Sequence, residues 1–287
     1  MVIDSPIRSL VHSALREDLG FRGDITTRFF LSPRKQYRAR FIFKSDGVLC
    51  GRALVDEVFR LACPSARLRW LKRDGDRVRE GTVVARVSGP REIMTAERTA
   101  LNFLQHLSGI ATLTSRYVER TAGTRARIYD TRKTLPGWRA LAKYAVRAGG
   151  GSNHRMGLYD MALIKDNHVA GWDRDGLGTV ELVRRIRELR RRRRGTPVQV
   201  EIKSAGEIDR ALALRPELVL LDNMGTAALR AAIRRIRRLS PKTLIEVSGG
   251  VDLHDVRRLA RLGPDRISVG RLTHSAPALD ISMKLEP

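Results

Sequence analysis

A chain of 287 residues has room for one large α/β domain or two of ordinary size, and its 42% hydrophobic and 30% charged residues suit a globular protein in water. No apolar run approaches the roughly 18 residues that span a bilayer, and the opening M-V-I-D-S-P-I-R-S-L lacks the basic-then-apolar order of a signal peptide, so a cytoplasmic protein with no membrane partner is expected. The formal net charge of +24 makes nucleic acid a candidate partner, yet the arginines that carry it are spread along the chain rather than gathered in one tail.

The first 108 residues alternate strand-like runs, Y-R-A-R-F-I-F-K at 37–44 and G-T-V-V-A-R-V-S at 81–88, with turn signals such as R-D-G-D at 73–76. A helix is expected over 95–107, T-A-E-R-T-A-L-N-F-L-Q-H-L. Together these predict an N-terminal α/β domain over 1–108. Cys50 and Cys63 have no C-x-x-C spacing and no histidine beside them at ligand distance, so both are expected to be reduced, half-buried core residues.

From residue 127 the sequence repeats a short apolar run, a polar or glycine stop, and an amphipathic segment. The strand candidates are R-I-Y-D (127–130), M-A-L-I-K (161–165), V-Q-V-E-I-K (198–203), L-V-L-L-D (218–222), L-I-E-V-S (244–248) and R-I-S-V-G (266–270). Helix candidates separate them at 138–148, 180–189, 205–214, 226–236 and 253–262. Apolar strands alternating with helices predict a parallel sheet covered by helices. Asp130, Lys165, Glu201, Asp222, Ser248 and Gly270 fall at or near strand C-termini, the ends that converge on the active face of a β/α barrel. The prediction is an α/β protein with a barrel domain over 109–274. The arginine run at 187–195, R-E-L-R-R-R-R-R-G, ends a helix, where cations complement the helix dipole.

Three cationic knots stand out: D-T-R-K-T-L-P-G-W-R (130–139), G-G-G-S-N-H-R (149–155) and L-I-K-D-N-H (163–168). On a barrel, Arg132, Lys133 and Lys165 gather at one mouth with the His154-Arg155 loop beside them. Such permanent charges repel one another unless an anion neutralises them. Glu201 and Asp222 can hold a divalent cation or accept hydrogen bonds from sugar hydroxyls. The small-residue loops S-G-G (248–250) and S-V-G-R (268–271) can present backbone N–H groups to a phosphate.

With D-T-R-K-T-L-P-G-W-R, G-G-G-S-N-H-R-M-G-L-Y-D-M-A-L-I-K-D-N-H, H-S-A-P-A-L-D-I-S and A-L-R-E-D-L-G-F-R-G-D-I-T-T in view, the chain resembles the quinolinate phosphoribosyltransferase family over nearly its whole length. The resemblance implies a type II phosphoribosyltransferase fold: an incomplete parallel α/β barrel of about six strands and an N-terminal α/β sandwich to which the tail 275–287 returns. It implies transfer of phosphoribosyl from phosphoribosyl pyrophosphate to quinolinate with loss of carbon dioxide, using Mg²⁺. In the family's pattern Arg98, Arg132, His154, Arg155 and Lys165 surround the quinolinate carboxylates, and Lys133 lies near the reacting centre and the pyrophosphate. Glu201 and Asp222 would engage the ribose hydroxyls and Mg²⁺, directly or through water. Ser248, Gly249, Gly250 and Gly270 would receive the 5-phosphate. The catalytic candidates are Lys133, Lys165, Glu201 and Asp222. The active unit implied is a homodimer with shared sites, Arg98 crossing from the partner, with assembly to a hexamer left open. Two rivals are a related barrel enzyme with another acceptor, of the kind associated with molybdenum-uptake genes, and a polyanion- or nucleic-acid-binding protein. The quinolinate-facing cations argue against the first, and the ordered strand-end residues against the second, so no specific nucleic-acid partner is expected.

Overall fold

The computed structural model describes residues 1–287, which divide into two compact units: residues 1–115, 141–150 and 275–287 in the first, 116–140 and 151–274 in the second.

The first unit opens with α1 (Ser5–Leu19), whose N-cap Asp4 accepts from the Ile7 amide, and α2 (Ile25–Phe30), capped in the same way by Asp24. There follow β1 (Tyr37–Phe43), β2 (Gly47–Val48), α3 (Arg52–Ala62), β3 (Arg67–Trp70), β4 (Arg77–Val78), β5 (Val83–Gly89) and α4 (Glu92–Arg120). A C-terminal strand, Ile281–Leu285, pairs antiparallel with β1 in the register Phe41↔Met283, and β1 pairs antiparallel with β5, giving the sheet order C-terminal strand, β1, β5, β3. Alternation along β1 buries Ala39, Phe41 and Phe43. Phe59 of α3 meets Phe41 edge-on, ring centres 6.1 Å apart. Cys50 and Cys63 are free thiols, fully rather than half buried. Helix α4 far exceeds the expected 95–107 because its second half carries Gly109 and β-branched Thr112 and Thr114, which weaken the helical signal. Gly109 is a packing residue: a methyl group there would overlap the Pro277 carbonyl oxygen.

The second unit contains β6 (Arg127–Tyr129), then, beyond α5 (Arg139–Ala148), β7 (Ala162–Ile164), α6 (Asp166–Arg174), α7 (Thr179–Arg192), β8 (Val198–Ile202), α8 (Ile208–Ala213), β9 (Leu218–Asp222), α9 (Thr226–Leu239), β10 (Leu244–Ser248), α10 (Val256–Ala260), β11 (Arg266–Ser268) and α11 (Arg271–His274). Most of α5, Leu141 onward, clusters with the first unit, where Tyr144 donates to Asp74 at 2.6 Å. The sheet is parallel and six-stranded in the order β6, β11, β10, β9, β8, β7. β6 and β7 are its two edges, so the barrel is incomplete. Residues in register face the same way: Glu201, Leu220 and Glu246 form one row across β8, β9 and β10, and Asp222 pairs with Ser248 two residues further on. Helix α6 lacks a buried residue, which explains why hydrophobic periodicity does not reveal it.

Candidate active site

The parallel strands end on a cavity of about 470 Å³. The β6 loop contributes Arg132 and Lys133, the 151–160 loop His154 and Arg155, and the end of β7 Lys165. Glu201, Asp222, Ser248, Gly249 and Gly250 come from β8, β9, β10 and the turn after β10. Every residue expected at the site lines this cavity except Gly270 and Arg98. Gly270 lies beside it: a Cβ there would sit 3.1 Å from the Lys133 side chain, so the missing methyl makes room for that lysine. Thr273 of α11 donates to the Lys133 carbonyl at 2.7 Å and fixes the loop from below. Arg98 is an exposed residue of α4 in the first unit.

The 151–160 loop is held by a buried acid. Asp130 accepts from the His154 amide at 2.8 Å and from the Asn153 side chain at 2.6 Å. The backbone N–H of Arg155 can only donate, and it does so to His154 Nδ1 at 2.8 Å, so the ring carries its proton on Nε2. That nitrogen faces Gln199 Oε1 at 3.1 Å and Glu246 Oε1 at 3.3 Å. Gln199 donates to Glu246 Oε2 at 2.8 Å, and Ser268 donates to Glu246 Oε1. His154 therefore lines the cavity with both ring nitrogens already engaged. Burial pushes the Glu246 carboxyl up, but the donors His154, Ser268 and Gln199 outweigh it and hold it below the usual carboxylate range.

Above this floor the cations are underserved. Arg155 is 9% exposed and spends one nitrogen on the Met161 carbonyl at 3.1 Å. Burial, and then the nearby charge of Arg132, lower its affinity for its proton. Arg132 Nε is buried without a hydrogen-bond partner. Two adjacent guanidiniums, one with an orphaned donor, make a ready socket for a carboxylate or phosphate.

The opposite wall is acidic. Burial, and then the charge of Asp222, raise Glu201 above its ordinary 4.5, with Lys165 and Lys203 pulling the other way. No group of three or more acid, histidine or cysteine side chains gathers as a metal cage. Two carboxylates that destabilise one another nevertheless suit Mg²⁺, which takes one or two carboxylates and fills its remaining positions with water and substrate phosphates. The turn after β10 is tightly built: Gly249 has φ +97°, and a side chain there would collide with Asn223. Asn223, itself at φ 54°, donates its amide N–H to the Ser248 carbonyl at 3.0 Å. Gly250, at φ 53°, has open space where a side chain would stand.

Sequence reasoning missed Glu246, Gln199, Ser268 and Asn223. The available signal was an acid in the middle of an otherwise apolar strand, L-I-E-V-S, which a buried strand tolerates only with partners.

A parallel α/β barrel whose strand ends carry paired cations, paired acids and a glycine turn defines an enzyme that handles several anionic groups at once. The family models for the quinolinate phosphoribosyl transferase N-terminal and C-terminal domains match residues 24–108 and 110–284. A nicotinate-nucleotide pyrophosphorylase [carboxylating] of Mycobacterium leprae is 42% identical over 283 residues, 97% of this chain and 96% of that protein. A chloroplastic counterpart of Arabidopsis thaliana is 37% identical over 98% of this chain and 83% of its own length. The solved nicotinate-nucleotide pyrophosphorylase from Francisella tularensis superposes with a TM-score of 0.90 at 34% identity, covering 100% of this chain and 98% of that one. The chain belongs to the quinolinate phosphoribosyltransferase family.

Proposed function

We propose that the cavity transfers the phosphoribosyl group of phosphoribosyl pyrophosphate to quinolinate, releasing pyrophosphate and carbon dioxide and yielding nicotinate mononucleotide for de novo NAD synthesis. The observation that carries this reading is the orphaned Arg132 Nε beside Arg155, which asks for a carboxylate, and quinolinate brings two. Arg132 and Arg155 grip those carboxylates in planar forks, and Lys165 adds compact charge at the rim. His154, its nitrogens engaged below, positions Arg155 rather than donating to substrate. Lys133, exposed at the mouth, neutralises the pyrophosphate as it leaves.

Glu201 and Asp222 accept from the ribose hydroxyls and favour the positive charge that builds on the sugar. The same two carboxylates would hold Mg²⁺, which supplies charge neutralisation to the departing pyrophosphate. Ser248, Gly249, Gly250 and Gly270 offer backbone N–H groups to the 5-phosphate. Attack by the ring nitrogen on the anomeric carbon leaves that nitrogen cationic. The adjacent carboxylate then departs as carbon dioxide, because the electron pair left on the ring carbon lies beside a positive charge, and that carbon takes up a proton from solvent or a nearby lysine to complete nicotinate mononucleotide. A homodimer in which the partner's copy of exposed Arg98 completes each cavity, in the cytoplasm, is the assembly we propose.

The test follows carbon dioxide from carboxyl-labelled quinolinate together with nicotinate mononucleotide, with and without phosphoribosyl pyrophosphate and Mg²⁺. Equal release of both products, dependent on both additions, is expected. Release of neither from folded protein would keep the barrel and remove quinolinate as acceptor.

A further inference from the structure

A second concavity of the same unit, about 620 Å³, shares no residue with the strand-end cavity. It lies between α9 and α10 and is lined by Arg230, Arg234, His254, Arg257, Arg258 and Arg261, with Leu262 as its one apolar side chain. A further concavity of about 460 Å³ along α9 shares Arg230 and Arg234 with it, so the two form one strip.

The strip combines a concave, arginine-rich lining with a row of arginines that no acid pairs. On α7, Arg184 and Arg185 bind Glu181, Arg192 binds Glu188 and Arg190 binds Glu217, while Arg187, Arg191 and, just past the helix, Arg193 and Arg194 are exposed without an acid partner. On α9 itself Arg235 binds Asp209 and Arg237 binds Asp265. Arg230, Arg234 and Arg238, every fourth residue of the same helix, are exposed and have no acid partner, and neither has Arg261. Of the groove's lining, Arg258 binds Asp255 at 2.5 Å, His254 faces the same carboxylate at 3.3 Å, and Arg257 donates to the Ala122 carbonyl. Like charges four residues apart weaken a helix by about 0.2–0.5 kcal/mol per pair, a cost that an anion laid along the row would remove.

We propose that the α9/α10 strip is a binding site for inorganic polyphosphate, a linear chain of phosphates joined by anhydride bonds. Two linked concavities suit a chain rather than a single phosphate. No phenylalanine, tyrosine or tryptophan lines either one, and His254 is the single ring, so bases find little of the stacking platform that single-stranded nucleic-acid sites supply. A ligand that is charge along its whole length loses nothing by that absence.

The experiment measures fluorescence anisotropy of end-labelled polyphosphate with the full chain, without Mg²⁺, over a salt series. Arg230→Gln/Arg234→Gln/Arg261→Gln is compared with Arg187→Gln/Arg191→Gln/Arg194→Gln, which removes the same charge from α7 and its C-terminal end. Glutamine matches arginine closely in helix propensity, and thermal unfolding checks that both variants fold. The groove variant should bind about tenfold more weakly and lose about two units of salt slope, with the α7 variant within about threefold of the parent and turnover unchanged in both. Equal weakening by the two variants, or no binding by the parent chain, overturns the site. Competition by single-stranded RNA as effective as polyphosphate at equal phosphate concentration overturns the choice of ligand.

Discussion

Replacing Glu246 tests whether the cavity floor orders the substrate cations above it. In Glu246→Ala the Gln199 amide and the Ser268 hydroxyl lose their acceptor, while His154 Nε2 keeps only Gln199 Oε1. A buried group left unpaired costs about 1–3 kcal/mol, so two such groups cost about 2–6 kcal/mol before any relief from removing a buried charge. The expected loss is about 2–4 kcal/mol in urea unfolding. Glu246→Gln keeps the shape and lets the Ser268 hydroxyl turn to accept, so its loss is about 1 kcal/mol. Both variants should raise KM for quinolinate more than KM for phosphoribosyl pyrophosphate, because His154 and Arg155 are adjacent in the loop this network holds. The acid also predicts a pH effect. Its folded pKa lies below the ordinary 4.5, so the unfolded chain binds this proton more readily. Its contribution is therefore complete above about 4.5 and is lost as pH falls below that value toward the folded pKa. Glu246→Gln should flatten the stability profile in that window. An alanine variant within about 0.5 kcal/mol of the parent, with unchanged quinolinate KM, would refute the positioning role.

Three further outcomes follow from the same geometry. Glu201, raised by burial and by Asp222, should titrate lower in Asp222→Asn and again when Mg²⁺ is added to the parent, read by carbon-13 NMR of its carboxyl; an unmoved titration would separate the two acids. Gly249→Ala meets both φ +97° and the Asn223 wall, so it should lose about 1–3 kcal/mol and raise KM for phosphoribosyl pyrophosphate, and an unchanged KM would remove this turn from the phosphate site. Arg98→Ala and Lys133→Ala, each inactive alone, should regain activity when mixed and allowed to exchange subunits, and verified mixed dimers without activity would sink the shared site.

Much of the barrel is legible because its signals are local. Each strand candidate from 127 onward corresponds to a strand of the parallel sheet, with ends trimmed where Asp130, Lys165 or Gly270 turns out of the ladder. The cavity cations were equally visible, since D-T-R-K and N-H-R set charges beside strand ends. Less visible were elements whose reason lies elsewhere in the chain. Helices α1 and α3 depend on packing such as the Arg8 to Glu57 bond at 3.0 Å, and α4 runs on past Gly109 because that glycine answers to Pro277 rather than to a helix end. Glu246 was hidden for the same reason: its three donors come from three other segments, and only the closed network makes an acid at mid-strand affordable. The arginine run was legible too: it closes α7, with Arg190, Arg191 and Arg192 in the last turn. The row Arg230, Arg234 and Arg238 was not, because its arginines stand four residues apart and meet only on the folded helix α9.

The pairing of the strand Ile281–Leu285 with β1 ties the start of the chain to its finish. During synthesis β1 leaves the ribosome early and waits for its neighbour until the whole barrel has been translated. Throughout that interval one side of β1 offers unpaired N–H and C=O groups to any passing strand, an exposure that favours aggregation in slow, non-local folds. A ribosome stalled inside the barrel would therefore carry an N-terminal half with an unfinished sheet, and a free peptide spanning 275–287 supplied in trans is the natural reagent for closing it.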